Sequence, residues 1–352
     1  MQKRPLGSSG LAVPEIIFGA YPLGGTNWGP RDDEEALAAL AAAFDAGITA
    51  VDTAPAYGFG ISEKLVGKAI AAYPEKITVM TKVGLRREQA GRKQAFATED
   101  AAGKRLEVFH NGRPDSIREE VDASLVRLGV ECIDLVQLHA PDPDVPAAES
   151  LGALAELGQA GKLRAVGSSN LSLAELQSGH AALSAAGTGL ASEQLHYSLL
   201  ARAAEEERLP WARTSGVGVL AYSPLDQGLL AGAVPAGRDF PKGDRRRGRW
   251  TFSEANRARV NAALEDAVRP IAEDRGATCA QVVLAWTASQ PGITAVLAGA
   301  RRPQHAIENA AAGDLVLGDE EQSRIRRAFE ALSLQRPRPS LWDRVRGRLL
   351  GR

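Results

Sequence analysis

Residues 51–58 read Val51-Asp52-Thr53-Ala54-Pro55-Ala56-Tyr57-Gly58. Ile48, Ala50 and Val51 form a short apolar run that reads as a buried strand, and Pro55 and Gly58 punctuate the turn behind it. Asp52 therefore stands at the C-terminal end of a strand, with Tyr57 on the loop just beyond. A carboxylate there is costly unless it is paired or at work. Two more polar residues end apolar runs in the same way. Lys82 follows Ile77-Thr78-Val79-Met80-Thr81, and His139 follows Ile133-Asp134-Leu135-Val136-Gln137-Leu138.

Working outward from these three strand ends, the chain alternates strand and helix along its length. A short hairpin is expected over 4–15 and a first buried strand at Ile16-Ile17-Phe18-Gly19-Ala20. Asp32 reads as a helix cap, and Ser116–Glu119, Ser172–Glu175 and Thr278–Gln281 read as capping boxes. Helices are expected near 61–72, 146–160, 203–214, 254–274, 279–289 and 303–312, with a C-terminal helix carrying Ile325, Phe329 and Leu332. Residues 84–112 and 231–250 read as long loops, because neither has a clear hydrophobic period. About eight strand–helix units in one chain predict a closed (β/α)₈ TIM barrel with an N-terminal β-hairpin and extra C-terminal helices. The rival is a doubly wound open sheet, but no G-x-G-x-x-G follows the first strand. Residues 1–335 are expected to form one barrel domain, and 336–352 a basic tail.

Composition narrows the class. The chain has 352 residues, of which 44% are hydrophobic and 24% charged, with a formal net charge of -1. That balance supports a sizeable core and argues against a nucleic-acid or membrane partner attracted by charge. The arginine run 245–247 has no accompanying nucleic-acid motif and reads as a solvated or cofactor-covering loop. Cys132 and Cys279 have no metal-type spacing, and two cysteines do not make a disulfide framework. No signal-like start and no run of about 18 apolar residues occurs, so a cytoplasmic location is expected.

In a barrel, all C-terminal strand ends face one mouth. Asp52, Tyr57, Lys82 and His139 then converge. A phenol is a poor acid near neutrality, and a neighbouring ammonium is expected to pull its pKa down. Aspartate keeps that ammonium charged and aimed, and a neutral histidine can donate to a carbonyl oxygen. Such a group suits the protonation of an alkoxide as it forms.

The same residues carry a family resemblance. Asp52-Thr53-Ala54-Pro55-Ala56-Tyr57-Gly58 with Ser62-Glu63, Thr81-Lys82-Val83-Gly84, and Gln137-Leu138-His139-Ala140-Pro141-Asp142 resemble the ordered motifs of the aldo-keto reductases. Within that family the chain is most similar to bacterial inositol-operon-like and yeast-type members. The resemblance covers nearly the whole chain. It implies reversible NAD(P)H-dependent reduction of an aldehyde or ketone, with Tyr57 as acid, Lys82 and Asp52 tuning it, and His139 orienting the substrate.

By the same resemblance, Ser169, Asn170 and Gln194 hold the nicotinamide carboxamide and Tyr222 stacks on its ring. Ser223, Leu225, Gln227, Gly228 and Leu229 lie along the pyrophosphate, and Gly19, Ala20 and Tyr21 approach the nicotinamide ribose. Gly299, Arg301, Arg302, His305, Glu308 and Asn309 meet the adenosine end. Two positions depart from the family pattern: His305, where Gln or Arg is frequent, and Asp226, where a small residue is usual. Arg301-Arg302 makes NADPH the expected cofactor, with NAD the alternative. A small-molecule carbonyl or alcohol is the expected partner. Trp28, Phe59 and Trp250 are expected to form an apolar wall for the substrate beside Tyr57 and His139.

Two other classes compete. A cofactor-sensing regulatory subunit, like the potassium-channel β subunits, would share the fold; the chain begins at the barrel hairpin with no long leader, which argues against it. A metal-dependent barrel hydrolase would need clustered ligands, and only His139 of the five histidines is well placed.

Overall fold

The alternation of strand residues decides where the site lies. In the computed structural model, which describes residues 1–25, 31–73, 76–87, 92–99, 105–241 and 243–336, parallel strands close into a barrel. In chain order they are β1 (Ile16–Gly19), β2 (Ala50–Asp52), β3 (Thr78–Val83), β4 (Ile133–Leu138), β5 (Leu163–Ser169), β6 (Leu190–His196), β7 (Gly218–Tyr222) and β8 (Ala295–Ala298). Strand β8 closes on β1 through Val296, Leu297 and Ala298 against Ile16, Ile17 and Phe18.

Successive side chains point to opposite faces of a strand. Phe18, Val51, Val79, Val136, Val166, Val219 and Val296 face the helix layer. Ile17, Ala50, Met80, Leu135, Ala165, Leu220 and Leu297 fill the barrel interior. Two residues further along, the same inner face carries Asp52, Lys82, Gln137 and Tyr222. The period of two thus makes the barrel apolar at its N-terminal end and polar at its mouth.

The hairpin of Lys3–Pro5 and Ala12–Pro14 stoppers the apolar end with Leu6, Leu11 and Val13. Its turn needs Gly7. The residue has φ +56°, and a Cβ there would lie 2.5 Å from the Ala191 carbonyl oxygen.

The outer layer holds α1 (Asp33–Asp45), α2 (Ile61–Ala72), α3 (Pro114–Leu128), α4 (Ala147–Gln159), α5 (Leu173–Ala185), α6 (Arg208–Thr214), α7 (Glu254–Ala267), α8 (Arg269–Asp274), α9 (Cys279–Ala288), α10 (Pro303–Ala311) and α11 (Asp319–Glu330). Asp32 caps α1 by accepting from the Glu35 backbone N–H at 3.0 Å. The boxes at Ser172–Glu175 and Thr278–Gln281 both form.

Four expectations need correction. The Ser116–Glu119 box does not form, because α3 starts two residues earlier at Pro114, whose missing N–H suits a first turn. Residues 84–112 are not a plain loop. Leu85–Arg87, Gln94–Glu99 and Arg105–His110 make an antiparallel sheet; its one alternation, Leu106 and Val108 buried between exposed Arg105 and Glu107, is too short to stand out in a polar stretch. The expected helix over 254–274 breaks at Val268, where Pro270 removes a helical donor. The helix expected over 203–214 begins as a 3₁₀ turn, Ala203–Glu205, before α6.

The added sheet is tied down beside β4. Arg92 pairs with buried Asp142, which also accepts from the Gly112 N–H at 2.7 Å. Trp28 and tail residues 337–352 lie outside the described residues. Among the described residues, no helix is long and apolar enough to cross a membrane.

Candidate active site

The four strand-end residues meet at the mouth. Lys82 Nζ, fully buried, donates to Asp52 Oδ2 at 2.5 Å, to the Thr53 carbonyl at 3.1 Å and to Tyr57 Oη at 3.0 Å. Three donors therefore meet three oxygens. Asp52 Oδ1 accepts from Gln137 Nε2 at 3.0 Å and Gln194 Nε2 at 2.9 Å. The His139 ring stands edge-on to Tyr57, with centroids 5.7 Å apart, and Tyr21 packs on Tyr57 the same way at 4.9 Å.

Tyr57 reaches Lys82 because its turn is pressed against the loop after β1. Gly58 has φ +65°, and a Cβ there would fall 2.3 Å from the Gly24 carbonyl oxygen, so only glycine lets the two loops touch.

The electrostatics correct one expectation. Burial pushes the Tyr57 phenol up to about 12 and outweighs the opposing pull of Lys82, whose charge Asp52 partly offsets. Burial lowers Lys82, but Asp52 and Tyr57 more than reverse it, and the net shift is upward. The lysine stays an ammonium. Burial, helped by the Lys82 charge, holds His139 well below the ordinary histidine range, so its imidazole is neutral near pH 7.

The turn after β5 carries Ser169 and Asn170. Asn170 Nδ2 donates to the Ser169 hydroxyl at 2.9 Å and to the His139 carbonyl at 3.2 Å, and Tyr222 Oη donates to Asn170 Oδ1 at 2.9 Å. The Tyr222 ring stacks on His196, with centroids 5.5 Å and planes 11° apart. Gln194 turns its amide nitrogen toward Asp52 and Gln137.

Beyond β7, Ser223, Asp226, Gln227 and Gly228 all have positive φ. Such backbone turns N–H groups toward an anion. Asp226 is held by Ser198 and by His196, whose Nε2 lies 3.2 Å away. Leu229 is buried, and Leu225 is half-buried against the core.

At the expected adenosine end, Gly299 closes on Gly19, and Asn309 Nδ2 donates to the Gly299 carbonyl at 3.4 Å. Arg301 lines a small recess with Pro22, Asp32 and Glu35. Arg302, mostly exposed, lies 3.4 Å from the Glu35 carboxylate. His305 is exposed, and Glu308 accepts from the Thr278 hydroxyl at 2.6 Å.

A nicotinamide dinucleotide fits these surroundings. Two buried polar atoms on the loops after β7, Gln227 Oε1 and Arg245 Nε, have no hydrogen-bond partner among the described residues. One accepts and the other donates, as a ligand with hydroxyls and anionic oxygens requires.

Of the substrate-wall residues, Phe59 sits under the Arg87 guanidinium, 5.1 Å from its ring centre. Trp250 lines a cleft with Leu199, Phe329 and Leu334, and Arg336 covers its ring. Two residues were missed at the sequence level. Gln137 was legible as a polar residue inside an apolar run. Arg245 was not, because its contact with Tyr21, a 2.8 Å hydrogen bond from Nη1 to Oη, spans 224 positions. Among the described residues, no group of three or more His, Cys, Asp or Glu could hold a metal.

Comparison with known proteins agrees with this geometry. The model of the Aldo/keto reductase family matches residues 15–330. A protein named NADH-specific methylglyoxal reductase from Escherichia coli (strain K12) is 35% identical over 342 residues, 94% of this chain and 99% of its own. A Bacillus subtilis (strain 168) aldo-keto reductase is 34% identical over 304 residues, 86% of each chain. Among solved structures, a glycerol dehydrogenase from Gluconobacter oxydans aligns with a TM-score of 0.83 at 33% identity, covering 96% of this chain and 98% of its own. With its model spanning most of the sequence and relatives matched nearly end to end, the chain belongs to the aldo/keto reductase family and is a nicotinamide-dependent oxidoreductase that interconverts carbonyl and alcohol.

Proposed function

We propose that the protein reduces small aliphatic aldehydes and ketones, with Tyr57 as the proton donor. The observation that carries this reading is the Lys82 ammonium, hydrogen-bonded at once to Asp52 and to the Tyr57 hydroxyl. The cofactor, when bound, supplies the hydride. Tyr57 gives its phenolic proton to the carbonyl oxygen as that oxygen gains charge. Lys82 stabilises the phenolate left behind, and Asp52, fixed by Gln137 and Gln194, keeps Lys82 charged and aimed. His139, neutral, donates a ring N–H to the same oxygen and orients the substrate. With a pKa of about 12 before ligands bind, Tyr57 holds its proton through the neutral range and releases it only where negative charge develops opposite it.

The substrate class draws on two lines of support. Tyr21, Tyr57 and His139 give the mouth aromatic walls, and the Escherichia coli relative is named for a small carbonyl, methylglyoxal. The relatives' names are those of enzymes, so the regulatory-subunit reading is not favoured.

NADPH is the first reading of the nucleotide, on the strength of Arg301 at the start of α10, where guanidinium and helix N-terminus together suit a 2′-phosphate. NADH is the second. It is favoured by the relative named NADH-specific and by Glu35, whose carboxylate sits against Arg302 and repels a phosphate. The test follows reduced-nicotinamide absorbance with NADPH and NADH in turn, against methylglyoxal, longer aldehydes, ketones and sugars. Turnover of methylglyoxal and short aldehydes supports the substrate class; turnover of sugars alone overturns it. The ratio of kcat/KM for the two nucleotides decides between the cofactor readings.

A further inference from the structure

Glu193 precedes Gln194 on β6, is 1% exposed, and has no part in the chemistry above. Its carboxyl faces the turn after β5. Ser168 Oγ donates to Oε2 at 2.5 Å, and the Leu171 backbone N–H donates to Oε1 at 3.1 Å. Between those two anchors stand Ser169 and Asn170. Asn170 has φ +61°, a left-handed conformation that is strained for a residue with a Cβ. Strand β6 holds it there, because the Asn170 N–H donates to the Gln194 carbonyl at 3.1 Å. The turn is thus pinned at its centre by β6 backbone and on both flanks by one side chain of β6.

We propose that Glu193 is a positioning residue for the nicotinamide half of the cofactor. Its carboxyl clamps residues 168–171 so that the Ser169 and Asn170 side chains present their polar atoms to the carboxamide. The inference rests on the assignment of that pair to the carboxamide. A carboxyl is an expensive choice here: burial pushes its pKa up to about 8, and among the described residues no basic side chain is hydrogen-bonded to it. What a carboxyl offers is two oxygens on one rigid plane, one for each flank of the turn. Loss of the clamp lets Asn170 relax from its strained conformation. Its bonds to Ser169 Oγ, the His139 carbonyl and Tyr222 Oη would loosen together, because all three run through the Asn170 side chain. The adenosine half, held by residues 299–309, is not connected to this turn and should not respond.

The test compares two ligands on the full-length protein. Dissociation constants are measured by fluorescence or calorimetry for the reduced dinucleotide and for ADP-ribose bearing the same 2′ group, which lacks nicotinamide. Glu193→Ala should weaken the dinucleotide by about tenfold, the size of a lost buried hydrogen bond, and leave ADP-ribose within about twofold. Glu193→Gln, which keeps an acceptor for the Leu171 N–H, should restore most of the dinucleotide affinity. Ser168→Ala, which removes only one flank, should show the same selectivity at smaller amplitude; it serves as the test if Glu193→Ala does not fold.

Equal weakening of both ligands, or of neither, in a folded Glu193→Ala overturns the proposal. Asn170→Ala separates the two assignments. If it spares the dinucleotide, the carboxamide reading of Ser169 and Asn170 is wrong. If it weakens the dinucleotide selectively while Glu193→Ala does not, only the clamp is wrong.

Discussion

The two ends of the proposed cofactor cleft are built on opposite plans. At the acid end, the Lys82 and Asp52 side chains are 1% and 3% exposed, and both Asp52 oxygens and the Lys82 ammonium are met by protein groups. The partners come from β2, β3, β4, β6 and the turn after β2, so the Lys82–Asp52 pair is fixed by several strands at once. At the adenosine end, Arg302 is 68% exposed, His305 is exposed, and the charged groups stand on a loop and the first turn of a helix. A buried ion pair broken on one side leaves an uncompensated charge and is strongly destabilising. An exposed arginine exchanged for another residue changes little but the ligand it meets. The comparison therefore predicts a chemistry fixed by the barrel and a nucleotide preference that substitutions on the rim can alter.

The sharpest way to break this division is Tyr57→Phe. Carbonyl reduction should fall by about 10²–10⁴-fold, the usual contribution of a positioned acid. The dissociation constants of both nucleotides should stay near those of the native protein, because the phenol is assigned to the substrate oxygen. Single-turnover rates and nucleotide titrations on the same preparation check both halves. A variant that still turned over a good aldehyde at near-native rate would place the acid elsewhere.

At the other end, Arg301→Ala probes the rim. A charge-assisted hydrogen bond is worth about 1.5–3 kcal/mol, so NADPH should bind about 10- to 150-fold more weakly. NADH, without the 2′-phosphate, should be almost unaffected. Equal losses for the two nucleotides would assign Arg301 to something they share, and the rim would then not be where preference is set.

What was legible in the sequence follows the same division. The barrel, its hairpin, and the meeting of Asp52, Tyr57, Lys82 and His139 were readable because strand period and strand ends are local signals. The position of Gln137 was readable by the same rule, as the inward residue two after Leu135. The small antiparallel sheet was not: in its three strands only Leu85, Thr98, Leu106 and Val108 are buried, too few to set a period. Trp250 ends a long loop in the sequence, and nothing local to it signals the cleft it lines with Phe329 and Leu334 from the C-terminal end of the chain. The direction of the Tyr57 pKa is not legible, because the sequence places an ammonium near the phenol but not the depth of burial that outweighs it.

One buried carboxyl in the wall sharpens the contrast between paired and unpaired charge. Glu120, on α3, is 6% exposed, and its Oε1 accepts from the Gly84 N–H at 3.1 Å. Burial pushes its pKa from 4.5 up to about 8; the Gly84 N–H and the Arg86 charge pull the other way and do not prevail. Below pH 4.5 the carboxyl is protonated in both folded and unfolded chains, and its contribution to stability is fully present. Between 4.5 and about 8 the unfolded chain releases this proton while the folded chain keeps it, so stability falls as pH rises through that window. Full conversion across such a shift amounts to about 3–5 kcal/mol. Glu120→Gln removes the titration but keeps an acceptor for Gly84. Urea midpoints at pH 5 and pH 9 should therefore show the variant near native stability at the lower pH and more stable than native at the higher. Glu193, whose pKa burial likewise raises to about 8, titrates in both proteins and cancels from the difference. A constant offset between variant and native at both values would mean that Glu120 is ionised in the folded protein across the range, paired as tightly as Asp52 is with Lys82.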